Sequence, residues 1–148
     1  MSSVLTSAIA TEQYAGTKIE VTFSIVELDC DIVQAMTNCA SVALMNSTLK
    51  CRYLPAAVCV LQEPTESNDI SGVSCVDPSS RQLCNQQNFA QKLRLIYNVD
   101  TEELVYSNME AFKFGQQLNL DVLERIIGTG MTSAKKLHKL ILQSAQTE

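Results

Sequence analysis

Residues 17–44 read "TKIEVTFSIVELDCDIVQAMTNCASVAL", and two hydrophobic periods meet in them. The first half alternates. Ile19, Val21, Phe23 and Ile25 point one way, and Lys18, Glu20, Thr22 and Ser24 the other. Period two over this length predicts a strand with one buried face. The second half changes to helical spacing and predicts a helix over about 31–47. Asp31 and Gln34 have the spacing of a capping box at its start. The body of this helix (Ile32, Ala35, Met36, Cys39, Ala40, Ala43, Leu44) is built from small and medium side chains. Small side chains let a helix approach a sheet closely. A strand, a tight turn and a central buried helix are therefore expected, and the helix start is a natural place to hold an anion.

The remaining segments predict further strands and one long helix. "SVLTSAIA" near the start reads as the last turns of a helix. "LPAAVCVL" (54–61) is a short apolar run and a buried-strand candidate. Polar "QEPTESNDISG" is a loop, and "GVSCVDP" is a strand stopped by Pro78. "SSRQLCNQQ" is ambiguous between a link and a short helix. "NFAQKLRLIYN" places Phe89, Leu93, Leu95 and Tyr97 on one side and Lys92 and Arg94 on the other. It pairs naturally with "ELVYSNMEA" through the turn "NVDTE". Leu120, Leu123, Ile127, Met131, Ala134, Leu137 and Ile141 then recur at helical spacing, with Asn119 as a plausible N-cap. Gly128 and Gly130 predict a kink or a close approach in this helix. His138 stands among three lysines near the C-terminal end, where it is expected to be solvated or to complement the helix dipole. The order of elements gives an α+β fold, with a mixed sheet and two main helices in a single domain over 1–148.

Composition narrows the function. The formal net charge is −5 over 148 residues, a poor balance for binding nucleic acid unaided, because affinity for the phosphate backbone comes mainly from Lys and Arg. No run of 18 apolar residues occurs, and the first residues lack the basic and apolar regions of a signal peptide, so neither a membrane span nor export is expected. The six cysteines (Cys30, Cys39, Cys51, Cys59, Cys75, Cys84) form no CxxC pair. They are expected to be reduced thiols, mostly small core residues, and to hold no metal.

The order "GTKIEVTFSIVELDCDIVQAMTNCASVAL", "LPAAVCVL", "CVDPSSRQ", strand pair and final helix resembles the RNase PH fold. Within it the chain is similar to the non-catalytic RNase PH-like ring subunits of the eukaryotic RNA exosome. "VDPSSRQ" resembles the "DPT-x-x-E/Q" segment of those subunits more than the "DLxYxED" segment of the active enzymes. The resemblance runs from about residue 4 to about residue 144 and covers the later part of the family's two-layer domain, so the chain looks N-terminally truncated. It implies a structural subunit whose partners are the other ring subunits. Such a subunit meets RNA through the assembled complex, in the nucleus (nucleolus) and cytoplasm, with no cofactor and no membrane.

The family's active members bind phosphate at a helix start preceded by Gly-Gly, with an Arg in the first turn. Glycine backbone and an Arg fork suit an anion. The corresponding positions here are Cys30 and Asp31 for the glycines and Val33 for the Arg. A carboxylate at the helix start opposes an anion and can cap the free N–H groups itself. The active family also carries an acidic pair for a metal or a proton. Asp77 matches its first member and Leu83 stands at the second, while Asp77 before Pro78 also fits a turn former. No catalytic, phosphate-binding or metal-ligating residue is therefore expected. Lys50, Arg52, Lys92 and Arg94 are the candidates for RNA or subunit contact, and each also fits a plain solvated face. The competing reading, a phosphate-dependent 3′–5′ exoribonuclease, is opposed by Val33 and Leu83.

Overall fold

The computed structural model describes residues 1–64, 74–112 and 120–145. Helix α1 (Ser2–Ala8) leads through a short 3-10 turn at Thr11–Tyr14 to an extended stretch and then helix α2 (Ile32–Met45). Strands β1 (Pro55–Gln62) and β2 (Ser74–Val76), helix α3 (Ser80–Cys84), strands β3 (Gln91–Asn98) and β4 (Glu103–Ala111), and helix α4 (Leu120–Ala145) follow. The architecture is α+β. The described sheet has the order β2-β1-β3-β4 with every pair antiparallel, where a mixed sheet was expected. Successive strands joined by short connections pair antiparallel, as β3 and β4 do across their turn. Asn119 lies outside the described residues, as does most of the loop after Gln62.

Helices cover both faces of the central strands. Ala56, Val58 and Val60 of β1 and Leu93, Leu95 and Tyr97 of β3 pack against Val122, Ile126 and Ala134 of α4. On the other face, Ala57 and Ile96 meet Val4 of α1, while Leu5 and Ile9 of α1 pack with Ala40 and Leu44 of α2. This explains why β1 is buried along its whole length, as its unbroken apolar run predicts. Edge strand β4 is exposed at nearly every position.

Five expectations are corrected. The alternating segment 17–28 joins no ladder, although Ile19 and Phe23 of its apolar face do turn inward onto the α1–α2 cluster. Alternation specifies a face, but a strand also needs a neighbour to bond. Helix α2 buries Thr37, Ala40, Ser41 and Leu44 rather than its Ile32–Met36–Cys39 side. Ser41 faces β1, its Oγ within hydrogen-bond reach of Pro55 O and Thr37 O, and the Thr37 hydroxyl lies against Val33 O and Met1 Sδ. On α4 the predicted Ala134 and Ile141 are buried and Leu123, Ile127 and Met131 pack partly buried against the core, but the stripe is centred on Val122, Ile126 and His138, and Leu120 is exposed. His138 is thus buried. Its Nε2 lies 3.8 Å from Asp100 Oδ1, and its Nδ1 has no hydrogen-bond partner among the described residues. Only Cys59 of the six free cysteines is buried, and Cys39 and Cys84 are exposed.

The paired glycines mark a close approach rather than a kink, since α4 is one continuous helix. A Cβ on Gly130 would stand 2.6 Å from Tyr97 Oη and 3.0 Å from Leu95 Cδ1. The Tyr97 hydroxyl donates to Ile127 O at 2.8 Å, which fixes α4 to β3. Nothing lies within 4 Å of a Cβ on Gly128.

Candidate functional site

The start of α2, where the sequence resemblance places a phosphate cradle, is filled by Asp31. Its Oδ1 accepts from Val33 N at 3.1 Å and Gln34 N at 3.3 Å, the N-cap pattern that satisfies first-turn donors. The predicted capping box forms only in its Asp31 half. Gln34 Nε2 turns away and donates to Asp77 Oδ1 at 2.6 Å. A complete capping box appears instead at Ser79 and Gln82, at the start of α3.

The second carboxylate oxygen of Asp31 faces β3. Arg94 Nε donates to Oδ2 at 2.8 Å, and Lys92 Nζ lies 3.6 Å away. Glu110 on β4 closes the group from the far side, 3.0 Å from Lys92 Nζ and 3.5 Å from Arg94 Nη2. Arg94 Nη1 also donates to Asn108 Oδ1 at 3.0 Å. Two carboxylates therefore balance two cations. The Asp31 side chain is 3% exposed and that of Lys92 10%, so these charges attract one another with little screening by salt. An incoming phosphate would meet an anion already seated between the helix start and both cations. The Val33 position supplies a half-buried apolar side chain where an Arg fork would be needed.

Beside this group stand Asp29, Cys30 and Asp77. Asp29 accepts from Ser80 Oγ at 2.6 Å and Ser80 N at 3.2 Å, and these bonds hold its carboxyl below the usual range. Burial, then the charges of Asp31, Asp29 and Asp77, push the Cys30 thiol up, so it is a poor nucleophile. Asp77 sits at φ 54, a left-handed conformation that Asp tolerates in turns. Partial desolvation raises its carboxyl, opposed by the Gln34 and Cys59 backbone hydrogen bonds. Leu83 lies on α3 and brings no carboxylate to Asp77. Asn38 on α2 locks the helix to the sheet, donating to Ala57 O at 3.0 Å and accepting from Ala57 N at 2.8 Å.

The four basic candidates divide into two places. Lys92 and Arg94 belong to the Asp31 group. Lys50 and Arg52 follow the other end of α2, about 20 Å away along a helix of this length. Arg52 pairs with Glu12 at 2.7 Å, both half-exposed. Lys50 is exposed and has no ion pair among the described residues. The structure therefore joins no four-residue basic patch. Glu110 and Asn108 were not legible from spacing alone. They join the group through the shifted β3–β4 register, which sets Lys92 opposite Glu110 and Arg94 opposite Asn108.

No family model matches the chain, and no curated protein does. Solved structures do match. Rice (Oryza sativa) Rrp46 superposes with a TM-score of 0.64 at 13% identity, over 82% of this chain and 51% of that one. The chain thus spans about half the length of that structure. Over that half it has the α+β fold of rice Rrp46, the fold that the resemblance to RNase PH-like domains implies.

Proposed function

We propose that the chain is a non-catalytic structural subunit of the RNA exosome ring, supporting 3′-to-5′ RNA processing and degradation by a partner nuclease. The observation that carries this reading is the Asp31 group. The helix start keeps the outline of an anion site, but the chain's own carboxylate caps it and pairs with Arg94 and Lys92. Without an open anion site, phosphate-driven cleavage of RNA has no place to bind its co-substrate. The fold shared with rice Rrp46 supports the same reading, as do the exposed edge strand β4 and its apolar Leu104, Tyr106 and Met109, which are surfaces for neighbours. Its partners are the other ring subunits, and RNA is met through the assembled complex in nucleus and cytoplasm. Two measurements test this. Affinity purification from cell extract should bring down the other exosome subunits, and their absence would overturn it. Incubation with 3′-tailed RNA, phosphate and Mg²⁺ should release no nucleoside diphosphate. Release would establish the phosphate-dependent exoribonuclease instead.

A further inference from the structure

We draw no further inference here: the strongest candidate, the unpaired apolar edge of segment 18–26 beside the groove lined by Leu5 and Ile9 of α1, carries nothing, because nothing in the structure shows what covers it.

Discussion

Replacing Asp31 by Ala should be among the most damaging single changes in the molecule, and its cost can be worked from the contacts. The carboxylate caps two N–H groups of α2, a role worth about 1 kcal/mol. It also neutralises Arg94 and Lys92, whose side chains are 22% and 10% exposed. Removing one partner of a buried ion pair costs about 3–5 kcal/mol, because the remaining charge stays desolvated. Glu110 remains within 3.0 Å of Lys92 and 3.5 Å of Arg94, which moves this loss to the low end. The expected total for Asp31→Ala is about 4 kcal/mol, a large share of the ~5–15 kcal/mol that holds a domain folded. Asp31→Asn keeps an acceptor for the cap but turns an amide N–H toward the Arg94 donor, so it should cost about 1 kcal/mol less than Ala. Urea unfolding followed by far-UV circular dichroism measures both, read as a shift in midpoint at constant slope. A double-mutant cycle with Arg94→Ala isolates the pair. If Asp31→Ala costs no more than the ~1 kcal/mol of an exposed pair, Asp31 is not the buried centre of this site and the reasoning fails.

The close approach at Gly130 predicts opposite signs for two neighbouring substitutions. Gly128→Ala should stabilise α4 by roughly 1 kcal/mol through helix propensity, whereas Gly130→Ala should destabilise by about 1–3 kcal/mol, since its Cβ would strike Tyr97 and Leu95; thermal melts of both distinguish them. Asp77 has its carboxyl raised by desolvation, so the folded state binds more protons than the unfolded state above the ordinary Asp range. Its contribution to stability is therefore greatest below that range and falls as pH rises through the raised value. Asp77→Asn should flatten that fall, and the effect should be small because the side chain remains open to solvent. Thiol titration of the native chain should label exposed Cys39 and Cys84 first. Cys59, buried and with its thiol pushed up to about 12, should react only on unfolding.

Much of the fold was legible in one dimension because single periods specify single elements. Asp31 announces the start of α2 through its own side-chain chemistry, and the apolar run 54–61 announces a strand covered on both faces. The capping of α2 was equally local, since a carboxylate at Asp31 can bond the first-turn N–H groups of its own helix. The segment 17–28 shows the opposite. Its alternation marked Ile19 and Phe23, which turn inward, but Val21 and Ile25 stay exposed, because a ladder depends on a neighbour that no period reveals. His138 was misplaced because its three flanking lysines suggested water, while the fold buries it beside Asp100 in the β3–β4 turn.

The sequence by itself determined that β1 is covered on both faces and that the start of α2 carries an acid. The tertiary structure alone decided what that acid does. The β3–β4 register shifts by one between Ile96 and Tyr97. Without that irregularity the register set by the turn would place Lys92 opposite Met109 and Arg94 opposite Ser107. With it, Lys92 meets Glu110 and Arg94 meets Asn108, because a one-residue shift exchanges the faces of a strand. The charge balance around Asp31 thus depends on a single extra residue in one strand, and the pairing of β3 with β4, rather than composition or period, fixes where that residue falls.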